Sequence, residues 1–159
     1  MSEPLADRPH MPGYGITASS SGRLPWSWAL ERLRDSRRYW VATRGPDGAP
    51  HLAAVWGVWF DSALHFSTGG QSRKARNLAA DPRCSVSPTD AAESVVLSGE
   101  AVRVTSRASV DAVRQAYVAK YGEGFPSPDE NPLYAVRPAV VIGIDEASFT
   151  SSATRWRFP

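Results

Sequence analysis

A chain of 159 residues that is 42% hydrophobic, with 18 basic against 16 acidic side chains, has room for one ordinary domain and too even a charge balance for a nucleic-acid binder. No apolar run reaches the roughly 18 residues of a membrane span, and Met1-Ser2-Glu3-Pro4 lacks the basic and apolar regions of a signal peptide. The single cysteine, Cys84, excludes an internal disulfide, so the expectation is a cytoplasmic protein with Cys84 as a small buried apolar residue.

Residues 1–22 show no periodicity and end in Thr17-Ala18-Ser19-Ser20-Ser21-Gly22, which predicts a flexible arm ahead of a single domain over 23–159. Pro25 suits the first position of a helix, and Trp26, Leu30 and Leu33 share one face of it to about Arg37. Trp28 lies off that stripe, as a partner or ligand contact or as partly exposed packing. Arg32, Arg34, Arg37 and Arg38 read as a solvated face. Tyr39–Thr43 predicts a strand and Asp47-Gly48 a tight hairpin. Pro50–Phe60 is the return strand, in which Gly57 marks a bulge or the close approach of another group. Trp56 and Trp59 fall on opposite faces of it. His51 and His65 have no spaced metal-ligand companions, so a metal site is not expected.

The chemistry concentrates after that strand. A turn at Asp61-Ser62 leads through a short strand, Ala63–Thr68, to a break at Gly69-Gly70 and into a helix whose first turn carries Ser72, Arg73 and Lys74. A helix N-terminus offers unpaired N–H groups and the positive end of the dipole to an anion. Two cations are costly there unless an anion binds, although exposed first-turn cations are also simply solvated. Lys74 stands out further because it and Lys120 are the only lysines among the 18 basic residues. The apolar double strand beside this turn offers a surface for a flat ring attached to a phosphate.

Further on, Arg83–Pro88 and Ser94–Thr105 read as strands, with a bulge expected at Gly99. Ser109–Tyr121 reads as an amphipathic helix striped by Val110, Val113, Tyr117 and Tyr121. The Pro-rich loop 124–132 either covers a mouth or only connects, and Tyr134–Ile144 is the last long strand. Six strands with short peripheral helices fit a mainly β, antiparallel barrel.

The run Phe66-Ser67-Thr68, then Ser72-Arg73-Lys74 and Leu78, followed by Asp81-Pro82-Arg83, resembles the cofactor-phosphate segment of the flavin-binding split-barrel superfamily. That superfamily includes pyridoxamine 5′-phosphate oxidase and the actinobacterial deazaflavin-dependent reductases. The preceding strand, Pro50 to Gly57, resembles the one that lies against the flavin ring, and the likeness extends over residues 24 to 150. The resemblance implies a six-stranded antiparallel split β-barrel and a homodimer with two cofactors at its seam. It also implies that Thr68, Arg73 and Lys74 hold phosphate while Val55 and Trp56 contact the ring, with Ser67 and Ser72 also among the cofactor-binding residues. Leu52 and Gly57 depart from the vitamin-converting oxidase, which carries a basic residue and a lysine there, so that activity is not expected.

The expected function is therefore an oxidoreductase that binds coenzyme F420 or FMN and transfers hydride to or from a small conjugated organic substrate. A wide groove with exposed arginines would favour F420, and a closed phosphate pocket FMN. No side chain declares itself as an acid or base, so catalytic residues stay unassigned. The alternatives are a non-enzymatic flavin or tetrapyrrole binder, and a dimerisation domain without a site. Arg155-Trp156-Arg157-Phe158 either reaches the cofactor or packs on the barrel.

Overall fold

The computed structural model describes residues 3–122 and 124–159. Nine strands form one antiparallel sheet: β1 (Leu5–Asp7), β2 (Tyr39–Arg44), β3 (Pro50–Val55), β4 (Gly57–Phe60), β5 (Ala63–Ser67), β6 (Arg83–Pro88), β7 (Glu93–Arg103), β8 (Leu133–Asp145) and β9 (Thr154–Arg157). The helices are α1 (Trp26–Asp35), α2 (Arg73–Ala80), α3 (Arg107–Tyr121) and α4 (Phe149–Ser152), with a 3₁₀ turn before α4. The strand β8 is the spine. It pairs with β7 from Tyr134 to Asp145, with β5 at Leu133–Val136 and with β9 at Val140–Gly143. The sheet thus divides into a β5–β4 limb and a β9–β1 limb, the form of a split barrel flanked by helices.

Period two builds the core. Val41, Val86, Val95, Leu97 and Val141 point inward from neighbouring strands and meet Ala29 and Leu33 of α1. Outward from β2, β3 and β7 stand Trp40, Leu52 and Val96.

The fold class is as expected, but the described residues form nine strands rather than six. Pro50–Phe60 is two strands, interrupted at Trp56. At Gly57 the chain passes so close to its neighbours that a Cβ would lie 3.0 Å from the His65 carbonyl oxygen and 3.2 Å from the Tyr39 ring. The expected bulge in β7 is present as a register shift at Ser98/Gly99, where a Cβ on Gly99 would sit 2.1 Å from the Arg137 carbonyl oxygen. The hairpin at Asp61-Ser62 has both residues in the left-handed region, φ 43° and 60°, as a two-residue turn between twisted strands requires.

The two other added strands join the chain ends. Part of the stretch expected as an arm pairs with the C-terminal segment, Leu5 opposite Arg157 and Asp7 opposite Arg155. Asp7 accepts hydrogen bonds from both arginines at 2.8 Å, and they hold its carboxyl below the usual range. Arg8 donates to the carbonyls of Ser19, Ser21, Ser151 and Ala153. Strands of three and four residues are too short to show periodicity, and their partners lie about 150 positions away. Trp156 is 1% exposed in the core, so the C-terminal segment packs on the barrel.

Candidate functional site

The turn into α2 is built as its residues predict. Ser72 caps the helix, its Oγ accepting from the Ala75 N–H at 3.2 Å. Thr68 is buried, with its Oγ1 3.2 Å from that same Ser72 Oγ. These hydroxyls shape the turn. The loop after α3 is stitched to it: Gly70 N–H donates to the Glu130 carbonyl at 3.0 Å, and Ser67 Oγ to the Asn131 carbonyl at 2.9 Å.

Beside this turn lies a half-open groove of about 340 Å³. Ala54, Val55 and Trp56 form one wall; Ser67 and Lys74 form another; Arg38, Tyr117 and Pro126 complete it. Val55 is mostly buried, whereas Trp56 is 55% exposed. Its ring stacks on Tyr121, centroids 5.1 Å apart and planes within 8°. Lys74 is half-buried, and burial lowers its pKa from the ordinary lysine value. Among the described residues no carboxylate lies within ion-pairing distance of it. A partly desolvated cation without a counter-charge, near a helix N-terminus, favours an anionic ligand.

Of the residues singled out in the sequence, the groove therefore collects Val55, Trp56, Ser67 and Lys74. Thr68 and Ser72 stand behind it as scaffold. Arg73 is exposed and outside the lining; its guanidinium extends toward the β2–β3 hairpin, 3.8 Å from where a Gly45 Cβ would be. The paired treatment of Arg73 and Lys74 thus separates, because neighbours on a helix face directions about 100° apart.

Sequence reasoning did not single out Tyr117; it left Arg38 in a group that was either a solvated face or a partner for a cofactor's acidic tail, and Pro126 in a loop that either covers a mouth or only connects. Tyr117 and Tyr121 lie four apart on the apolar stripe of α3 and so read as core. The arginine group is not one solvated face: Arg32 pairs with Glu93 and covers the Trp28 ring, Arg37 lies over Tyr121, and Arg38 lines the groove. Tyr121 Oη accepts from the Gly57 N–H at 3.1 Å and is 2.8 Å from the carbonyls of both Gly57 and Arg37. Lys120 donates to the Gly57 carbonyl at 3.1 Å and to Tyr39 Oη at 2.9 Å. Its own burial, with Arg37 nearby, lowers its pKa to about 8. The end of α3 thereby ties down the break between β3 and β4 that presents Trp56. Cys84 is buried and its thiol is pushed up to about 12 by burial, which leaves it unreactive at neutral pH.

An antiparallel sheet split into two limbs and flanked by short helices defines the class of fold, a split barrel. The chain belongs to the pyridoxamine 5′-phosphate oxidase family, whose model matches residues 29–150. No curated protein matches the sequence. Among solved structures, a protein of unknown function from Agrobacterium tumefaciens is similar at 26% identity and TM-score 0.63, over 76% of this chain and 57% of that one. A heme-binding protein from Mycobacterium smegmatis is similar at 22% identity and TM-score 0.62, over 76% and 55% respectively. This chain thus spans little more than half the length of either protein. An F420 reductase is similar at 21% identity and TM-score 0.58, over 74% of this chain and 98% of that one.

Proposed function

We propose that the groove binds the phosphate and ring of a flavin-type cofactor, and that the protein is an oxidoreductase acting on a small conjugated organic substrate. The observation that carries this is the unpaired, half-buried Lys74 facing an apolar wall of Val55 and Trp56. Lys74 and the backbone N–H groups of α2 would hold phosphate, and Val55 and Trp56 would flank the ring; Thr68 and Ser72 preserve the turn. When bound, the cofactor supplies the hydride chemistry. Tyr117 lines the same groove, and burial raises its pKa. It stays protonated at neutral pH and offers a hydrogen bond to a substrate carbonyl.

The groove is open and carries Arg38 on its lining, which favours coenzyme F420, with its acidic tail, over FMN. Its 340 Å³ is near the lower end of ligand pockets, roughly 300–1,000 Å³, so a tricyclic cofactor needs the open side closed by something else. The outward apolar face with Trp40 and Leu52, the latter 60% exposed, suits a second copy of the chain. A homodimer in the cytoplasm, with its sites completed at the seam, is part of this proposal. Leu52 and Gly57 offer no cation for a second phosphate, which argues against pyridoxine phosphate oxidation.

A tetrapyrrole binder is the second reading, favoured by the heme-binding structural neighbour. None of the histidines lines the groove, so a tetrapyrrole iron would need another ligand there. Titration of the apo-protein with F420, FMN and hemin separately, with sedimentation to give the oligomer, decides among them. Submicromolar binding of F420 or FMN to a dimer is the expected result. A Soret band with hemin and no flavin binding would overturn it.

A further inference from the structure

Lys74 and Lys120 are the only lysines in the chain. The first lines the groove, and the second stands behind the groove's wall. Lys120 is half-buried at the end of α3, where it reaches both β2 and β4. Its ammonium donates to Tyr39 Oη at 2.9 Å and to the Gly57 carbonyl at 3.1 Å. The one hydroxyl proton of Tyr39 goes to the carbonyls at the end of α1, 2.6 Å away at Ser36 and 2.8 Å at Leu33. Toward Lys120 the hydroxyl therefore only accepts. The same ammonium lies 5.2 Å from the Tyr39 ring centre and 5.5 Å from that of Tyr121, within cation–π range. Among the described residues no carboxylate pairs with it. Its partners are neutral oxygens and aromatic rings around the break between β3 and β4.

Gly57 follows Trp56 directly, with its N–H held by Tyr121 and its carbonyl by Lys120. The Tyr39 ring and the His65 carbonyl crowd its Cα, so the residue has little room to shift. Trp56 in turn stacks on Tyr121.

We propose that Lys120 is a positioning residue of the groove: its charge holds Gly57 against Tyr39 and so sets how Trp56 walls the groove. Its effect on ligand binding rests on the reading of the groove as the cofactor site; its effect on Trp56 does not. A neutral amine keeps hydrogens for the same two acceptors but loses the charge assistance and the cation–π attraction. Deprotonation therefore loosens Trp56 without releasing it. Burial, with Arg37 adding to it and Asp35 opposing, brings the Lys120 pKa to about 8. The other groups around it are Tyr39 on β2, Tyr117 and Tyr121 on α3, and Arg37. Burial raises the pKa of all three tyrosines, and an arginine keeps its charge, so the proton lost near pH 8 is that of Lys120.

The test follows the Trp56 indole N–H by 1H–15N NMR, in the full chain without ligand, from about pH 6.5 to 9.5; Trp56→Phe assigns the resonance. Expected is a single step with its midpoint at about 8. The step persists in Lys74→Ala, which excludes the groove's own cation as its source. It is absent in Lys120→Met, whose signal lies near the alkaline position throughout. Lys120→Arg, which keeps the charge, holds the signal near its neutral-pH position with no step, and carries the test should the methionine variant unfold. At pH 7, Lys120→Met weakens whichever of FMN and F420 the wild type binds by about fivefold, and Lys120→Arg restores most of that affinity. A Trp56 signal that does not titrate, or that titrates alike in Lys120→Met or Lys120→Arg, overturns the proposal. A Lys120-dependent step in a protein that binds neither cofactor supports the positioning role and refutes the cofactor reading alone.

Discussion

If the groove binds the proposed cofactor, replacing Lys74 by alanine is expected to weaken that binding far more than replacing Arg73, although the two are adjacent. A charge-assisted hydrogen bond to phosphate contributes roughly 1.5–3 kcal/mol. Lys74 is only half-buried and partly screened, so the lower part of that range applies. About 1.5–2 kcal/mol is about 10–30-fold in Kd. The N–H groups of α2 remain, so binding is reduced and not abolished. Arg73 is exposed outside the groove lining and contributes as a screened surface charge, about twofold. Burial lowers the Lys74 pKa, so wild-type affinity falls in alkali as the ammonium loses its proton, and falls with salt; Lys74→Ala shows less of both. Fluorescence titrations of the two single variants, at two salt concentrations and across pH 6–10, measure this. An Arg73→Ala loss equal to or larger than that of Lys74→Ala would refute the geometry argued for the groove.

Tyr117→Phe, which removes only the hydroxyl, is expected to lower turnover by about tenfold or more while leaving the cofactor Kd within about twofold; stopped-flow reduction paired with titration separates these effects. Gly99→Ala forces a Cβ against the Arg137 carbonyl and opens the β7–β8 ladder, costing about 2–3 kcal/mol, or roughly 4–12 °C in Tm by calorimetry. His65 gives the acid side of the stability profile. Its folded pKa of about 4 lies below the ordinary 6.5, so below pH 6.5 the unfolded chain takes up a proton that the folded one refuses. Stability is full above that pH and declines toward pH 4, by about 3 kcal/mol. Urea unfolding of His65→Phe between pH 7 and 4 should lack this component; a slope equal to the wild type would exclude His65 as its source. Tyr121→Phe removes one of the two α3 side chains that hold Gly57, leaving Lys120, and is expected to change Trp56 emission, with a Tm loss of about 2–4 °C.

Much of this architecture was legible locally. Alternation in β7, the Asp61-Ser62 hairpin and the Gly99 bulge all rest on interactions within a few residues or on backbone demands that one residue type meets. The resemblance carried by Phe66 to Lys74 extended this to the fold class. The strand pair β1–β9 was not legible, since it depends on Asp7 meeting Arg155 and Arg157 from the other end of the chain. Nor was the groove as an enclosure. Lys74 and Trp56 drew notice by composition and position, but Tyr117 and Tyr121 carried the spacing of ordinary core residues. Their role arises because α3 folds back over Gly57, 64 positions earlier. Sequence by itself determined most of the elements and the faces they bury, because period and turn chemistry act over a few residues. Only the tertiary structure decided which cation faces the groove, which aromatics wall it and that His65 is buried without a full set of partners, because those depend on contacts between segments whose separation along the chain leaves no local pattern.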